Sequence, residues 1–413
     1  MTKSPTCRHC GAPLTRTLVD LGLSPLANSY VGIEHRDIDC PRYPLHARVC
    51  DTCFLVQIED AVPASEIFST EYAYFSSYSD SWLAHCQAYV DEISTRLSLS
   101  ADDLVIEIGS NDGYLLQYFV ARGIPVLGVE PSANVAAVAQ ERGVNTRVDF
   151  FSNALAETLV AEGVRPSLIC SANVLAHVPD INDFVQGIAT LLAGDVVYTV
   201  EFPHLLNLIE KVQFDTIYHE HYTYLSLVSV EAIFGHFGLR VFDVQSLSTH
   251  GGSLRIFVCR KDATHKECAS VAAMRKQEHL AGLDSPAGYQ GFKEKVRAVR
   301  AGLVQFLNDA KEKGQTVAAY GAAAKGNTLL NYCGVGEDLI EFCVDRNPSK
   351  QNTLLPGSHI PVFPVEYLRQ RRPDYILILP WNLRSEISSQ LADLADSGTL
   401  FVTPVPKIDV FGR

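Results

Sequence analysis

The chain has 413 residues, 47% of them hydrophobic and 20% charged, with a formal net charge of -13. That length exceeds a single ordinary core and implies two or three domains. A strongly acidic balance repels phosphate-rich partners, so neither nucleic acid nor an anionic membrane surface is an expected partner. No run of about 18 uninterrupted apolar residues occurs, and the opening MTKSPTCRHC lacks the apolar stretch of a signal peptide. A soluble cytoplasmic protein is expected, and a monomer is the simplest state.

The first pattern along the chain is a pair of C-x-x-C knuckles, CRHC at 7–10 and CDTC at 50–53. Two such pairs place four thiolates around one tetrahedral ion, the geometry that Zn²⁺ prefers. Cys7, Cys10, Cys50 and Cys53 are the expected ligands, although His9 or Cys40 could replace one of them. All four positions would be filled by thiolate, so the ion is structural. The long gap between the knuckles calls for an inserted hairpin. Residues 69–93 follow, with an aromatic cluster (Tyr72, Tyr74, Phe75, Tyr78) and then helical spacing through Trp82, Leu83, Cys86, Tyr89, Val90 and Ile93. The cluster is either packing or the lip of a ligand pocket.

From residue 103 strands and helices alternate. DLVIEIGSNDG, PVLGVEPS, VNTRVDFF, PSLICSANVLAHV and DVVYTVEFPHL read as five strands, and LRVFDVQSLSTHGGSLRIFVCR as an antiparallel pair. The fold class expected is α/β. A small zinc-binding domain (1–68) precedes a doubly wound, Rossmann-like middle domain (69–262) with an antiparallel edge strand. A second Rossmann-like α/β domain (263–413) closes the chain.

The turn VIEIGSNDG lies where doubly wound folds bind ligands, at the carboxyl end of a strand. It has Gly109 and Gly113 but not the three-glycine fingerprint that lets a pyrophosphate approach. Glu107 and Glu130 supply acid near the turn, and Asn111 belongs to it. A ligand with an ammonium and a ribose but no pyrophosphate fits, which points to S-adenosylmethionine rather than NAD. Asp149 and Phe150 are placed to meet adenine, and Ala172 and Asn173 the methionine part.

TIYHEHYTYLS (216–226) follows the fifth strand. Its two histidines have no third metal ligand in evidence, so acid/base chemistry beside a methyl donor is the better account. If the segment is extended, His219 and His221 face one side and Tyr218, Glu220 and Tyr222 the other; the pattern does not say which histidine serves. In the last domain YGAAAKGN is a second strand-to-helix turn. Its Lys325 is either a point charge for phosphate or a solvated packing residue, and Asp345 contacts a ribose or caps the next turn.

These motifs together (CxxC…CxxC, VIEIGSNDG, EFPHL…FDTIYHEHYTYLS, GGSLR, YGAAAKGNTLLN and VDRNPSKQ) resemble the three-domain sugar C-methyltransferases of deoxysugar biosynthesis, over nearly the whole chain. The resemblance implies methylation of C-3′ of a dTDP-linked 4-keto-deoxysugar, with S-adenosylmethionine and zinc bound. It also implies that His221 is the base, that Tyr218, Glu220 and His177 share its pocket, and that Tyr72 reaches in. Tyr72, Tyr78, Tyr222, Tyr320, Lys325 and Asn327 are the expected substrate contacts. Competing readings are an O- or N-methyltransferase on a nucleotide-linked sugar, an NAD-dependent sugar oxidoreductase, and a nucleic-acid base methyltransferase.

Overall fold

The computed structural model describes residues 5–37, 40–63 and 75–412. Seven strands of the middle region form one sheet: β1 (Val105–Ile108), β2 (Val126–Val129), β3 (Thr146–Arg147), β4 (Leu168–Ala172), β5 (Val197–Pro203), β6 (Leu239–Leu247) and β7 (Ser253–Arg260). Their order is β3-β2-β1-β4-β5-β7-β6. The first five run parallel, and the mostly apolar sequences of β1, β2, β4 and β5 suit strands covered on both faces. On one face Ile106, Ile169 and Tyr198 join a core with Phe184 and Ile188. On the other, Val105, Leu168 and Val197 pack with Trp82, Tyr89 and Phe119.

The reversed strand was expected at the edge. It is instead β7, one place in, antiparallel to both β5 and β6. The reason is in its sequence: SLRIFVCR is buried at every residue but the last, as a strand with two neighbours must be, whereas β6 is buried only in part.

Helix α1 (Asp80–Leu97) buries Trp82, Cys86, Tyr89, Val90 and Ile93, one stripe of a 3.6-residue period. The Ser79 side chain caps it by accepting the Trp82 N–H. Helices α2 (Leu116–Val120), α3 (Ala133–Glu141), α4 (Asn153–Ala161) and α5 (Ile181–Leu191) alternate with the strands. Beyond β5 come α6 (Leu227–His236) and α7 (Ala269–Leu280). The fully buried Glu278 carboxylate of α7 accepts the Leu227 and Val228 N–H groups at 2.6 and 2.9 Å and lies 2.7 Å from His204 Nε2. The positive end of α6 and an imidazole thus compensate a buried charge.

Contacts divide the chain into two compact units that do not follow sequence order. The first holds 1–15, 49–205 and 222–288, and the second 16–48, 206–221 and 289–413. In the second unit α8 (Phe292–Glu312) presents Val296, Val299, Leu303 and Leu307 to its core. Strands β8 (Val317–Tyr320), β9 (Cys343–Val344), β10 (Val362–Phe363), β11 (Tyr375–Ile378), β12 (Leu400–Thr403) and β13 (Asp409–Phe411) form a sheet in the order β10-β9-β8-β11-β12-β13. All its pairings are parallel except β12 with β13. Helix α9 (Ala324–Cys333) follows β8. The residues between the knuckles contribute neighbouring strands, Arg16–Pro25 and Arg42–Val49, and Val31–Gly32 pairs with Thr353–Leu354. No helix among the described residues is long and apolar enough to cross a membrane.

Candidate active site

At the carboxyl edge of the first sheet, Gly109 turns the chain with φ +70°, and a Cβ there would lie 2.4 Å from Val174 Cγ2. Only glycine fits this position. Asn111 takes φ +47°, and its N–H donates to Glu130 Oε2 at 3.0 Å, while the Ser132 N–H donates to Oε1 at 2.9 Å. Glu130 therefore braces the glycine turn as well as facing its edge; burial pushes its carboxyl up and these N–H groups hold it down. Asp112 of the turn is held by Ser77 and by Arg142. Gly113 closes the turn with φ +77°.

Asn173 Oδ1, an acceptor, and the Ser110 hydroxyl are buried in this region without a hydrogen-bond partner among the described residues, and Glu107 is buried beside Tyr114. Glu107 is 0% exposed, and burial raises its pKa well above the carboxylate range, with Tyr114 as the neighbour that favours its charged form. The buried Asn173 carbonyl oxygen and the acids Glu107 and Glu130 suit a ligand that brings N–H and O–H donors. Ala172 and Asn173 are half-buried at the end of β4, and Phe150 is 46% exposed beside the exposed Asp149. The residues present fit S-adenosylmethionine. Tyr78 is 54% exposed against Phe75, and Tyr72 lies outside the described residues.

Residues 216–221 of the histidine loop belong to the second unit and are not extended. His219 and Glu220 form the corner of a turn closed by the His221 N–H to Tyr218 O bond at 2.9 Å. The closure brings the Tyr218 and His221 rings to 4.0 Å. His221 Nδ1 is 2.9 Å from the Thr216 carbonyl. A carbonyl only accepts, so Nδ1 carries the hydrogen and Nε2 is the lone-pair nitrogen. His219 is different: it is 2% exposed, its Nε2 meets Pro44 O at 3.1 Å, and burial pushes its pKa down. Glu220 is 4% exposed, both its oxygens accept from Asn28 Nδ2 at 2.7 and 2.8 Å, and burial raises it to about 7.

Asp215, fully buried, anchors the same loop through Trp381 Nε1 at 2.6 Å, and burial raises it to about 6 against the opposing charge of Lys325. Lys325 is not a solvated packing residue: its ammonium lies 4.7 Å over the Trp381 ring and 2.6 Å from Asn382 Oδ1. Asn327 is buried and donates to Ala27 O at 2.6 Å, while Tyr320 donates to Gln390 Oε1 at 3.3 Å. Asp345 caps, accepting the Ala322 and Asn347 N–H groups at 2.7 Å each.

In the first unit His177 ends a short 3-10 turn, Leu175–His177, and the buried Tyr222 donates its N–H to Ala176 O at 2.7 Å. The cysteine knuckles come together: the four Sγ atoms of Cys7, Cys10, Cys50 and Cys53 lie within 4.8 Å of one another, with closest pairs at 3.5 and 3.6 Å. Thiolates at about 2.3 Å from a tetrahedral ion stand about 3.8 Å apart, so the set fits zinc. His9 is not among them; its Nδ1 meets Asn182 Oδ1 at 2.8 Å. Cys40 is not among them either. One buried group had no role assigned from the sequence, although it opens the EFPHL motif: Glu201, near the end of β5, accepts from Arg255 at 2.9 Å and from Thr249, and lies 2.8 Å from His85 Nε2.

Two predictions follow from this geometry. Cys50→Ser should lose the bound zinc and lower the thermal midpoint, since binding of such an ion is folding free energy. Metal analysis with calorimetry checks this, and an unchanged midpoint in the metal-free variant contradicts it. Glu220 keeps its proton in the folded chain at a pH where the unfolded chain has lost it, so it makes stability fall as pH rises from about 4.5 to 7. Glu220→Gln should gain on wild type by about 2–3 kcal/mol between pH 5 and pH 8. Denaturant unfolding at the two pH values reads the difference, and a pH-independent gap would refute the assignment.

Residues 7–68 match the family model of a zinc binding domain, 82–244 that of a methyltransferase domain, and 248–406 that of a C-methyltransferase C-terminal domain. The C-methyltransferase NovU of Streptomyces niveus is 36% identical over 401 residues, covering 97% of this chain and 95% of that protein. Among solved structures, an S-adenosylmethionine-dependent methyltransferase from Clostridium acetobutylicum is similar over 45% of this chain and 93% of its own, at 11% identity and a TM-score of 0.35. Magnesium protoporphyrin IX methyltransferase from Synechocystis covers 48% and 88%, at 18% identity and a TM-score of 0.33. The chain belongs to the S-adenosylmethionine-dependent C-methyltransferase family.

Proposed function

We propose that this C-methyltransferase acts at C-3′ of a dTDP-linked 4-keto-deoxysugar. The observation that carries the reading is the Thr216 carbonyl on His221 Nδ1, which puts the hydrogen of the neutral imidazole on Nδ1 and makes Nε2 the nitrogen that can take a proton. A relative described as a C-methyltransferase supports carbon as the accepting atom.

In this mechanism His221 Nε2 takes the C-3′ proton, and the electron pair of the broken C–H bond passes to the C-4′ ketone oxygen as an enolate. The Tyr218 hydroxyl and His177 are the donors assigned to that oxygen, where they act only as charge develops. S-adenosylmethionine, when bound, supplies the electrophilic methyl group, held by Glu107, Gly109, Asn111, Gly113, Glu130, Asp149, Phe150, Ala172 and Asn173. The enolate carbon would take that methyl group from sulfur, and the ketone would be restored. Glu220, poised near neutrality and clamped by Asn28, orients the sugar or its substituent. Tyr72, Tyr78, Tyr222 and Tyr320 are assigned to the sugar-nucleotide, together with Asn327 and the charge of Lys325. The zinc-binding, methyl-donor and nucleotide-sugar roles are assigned to 1–68, 69–262 and 263–413 of a cytoplasmic monomer, with 16–48 and 206–221 belonging to the same compact unit as 289–413.

The test is transfer of a labelled methyl group to a panel of dTDP-4-keto-deoxysugars, with the product analysed by NMR. The reading predicts a new C–C bond at C-3′. Label on oxygen or nitrogen, or no acceptor among the 4-ketosugars, contradicts it.

A further inference from the structure

Between the two ligands of the first knuckle stands Arg8, whose side chain does not point to solvent. Its guanidinium is 10% exposed, in spite of its charge. Nη1 donates to Pro179 O at 2.5 Å, and Nη2 donates to Ile58 O at 2.7 Å and to Asp60 Oδ1 at 2.9 Å. The guanidinium carbon lies 5.2 Å over the Tyr222 ring. Pro179 is two residues beyond His177, and Tyr222 both donates to Ala176 O and accepts the Ile58 N–H at 3.1 Å. Arg8 therefore stands at the junction of three segments, 176–179, 58–60 and Tyr222. Two of them carry residues assigned above to the substrate pocket.

The same residue is tied to the metal ligands. Its N–H donates to Gln57 Oε1 at 2.9 Å, and Gln57 Nε2 donates to Cys7 Sγ at 3.2 Å. Asn182 of α5 donates to His9 O at 2.9 Å and to Arg8 O at 3.4 Å, so the other end of the 177–182 turn is clasped by the same knuckle. A planar fork with fixed donor directions can satisfy two carbonyls, a carboxylate and a ring face together; an ammonium cannot.

We propose that Arg8 is a positioning residue, which carries the geometry of the cysteine knuckle to the His177 turn and the Tyr222 ring. The zinc centre then sets the shape of the substrate pocket as well as the stability of the fold. The inference rests on the reading that His177 and Tyr222 line that pocket.

Arg8→Ala and Arg8→Lys in the full chain test it. Both should keep wild-type zinc content and an S-adenosylmethionine affinity within about twofold, because Arg8 touches neither group. Methyl transfer should fall in kcat by about 10²-fold, the cost of a small misplacement at the reacting centre, and lysine should restore little of it. NMR of histidine-labelled protein should show the His177 resonance displaced in both variants without any turnover. That signal separates the two ideas: wild type inactive on every ketosugar, with the His177 displacement present, defeats the substrate reading and leaves Arg8 standing. Loss of zinc from Arg8→Lys, full activity in either variant, or an unmoved His177 resonance overturns the proposal.

Discussion

A single backbone carbonyl decides which nitrogen of His221 can accept a proton. Thr216 O takes the Nδ1 hydrogen at 2.9 Å, and everything asked of the loop depends on that tautomer. The carbonyl can do this only if its own segment is fixed. Asp215, the preceding residue, is fully buried and bonded to Trp381, so residues far along the chain hold the acceptor in place. Closure of the 218–221 turn adds a second constraint, because it brings the Tyr218 ring to 4.0 Å from the imidazole, tilted by 34°. His219 is then committed to Pro44 O inside the fold, so the two histidines meet different surroundings.

The loop's companion charges obey the same rule that buried charge must be compensated. Glu220 meets one asparagine amide, and the compensation is incomplete enough that its carboxyl rises to about 7. Glu201 is the opposite case. Arg255, His85 and Thr249 surround it, and its pKa is lowered in spite of burial. One fold thus holds a carboxyl that titrates near neutrality and another locked in its charged form.

What could be read from the sequence was what short segments determine by themselves. The apolar strand running into Gly109, the two knuckles and the 3.6-residue stripe of α1 are all local, because steric limits and burial act on a few neighbouring residues. The partners of the loop were not legible. Asn28 lies 192 residues from Glu220 and His85 lies 116 from Glu201, and nothing in either local pattern announces a partner. YHEHY offered two alternate faces only on the condition that it is extended, but polar residues at every position carry no period, and a turn satisfies the backbone instead. The place of β7 was legible in principle: an unbroken buried run marks an interior strand, although a hairpin at the end of a series suggests an edge.

The central claim is that His221 removes a proton from carbon. With a cofactor analogue that cannot donate a methyl group, the enzyme in D₂O should wash deuterium into C-3′ of the ketosugar. His221→Asn should abolish this exchange, by about the 10²–10⁴-fold typical of a lost general base, while cofactor affinity stays at the wild-type level. His219→Asn should still exchange. Exchange at the wild-type rate in His221→Asn would contradict the account, and loss of exchange confined to His219→Asn would show that the two histidines had been assigned the wrong way round.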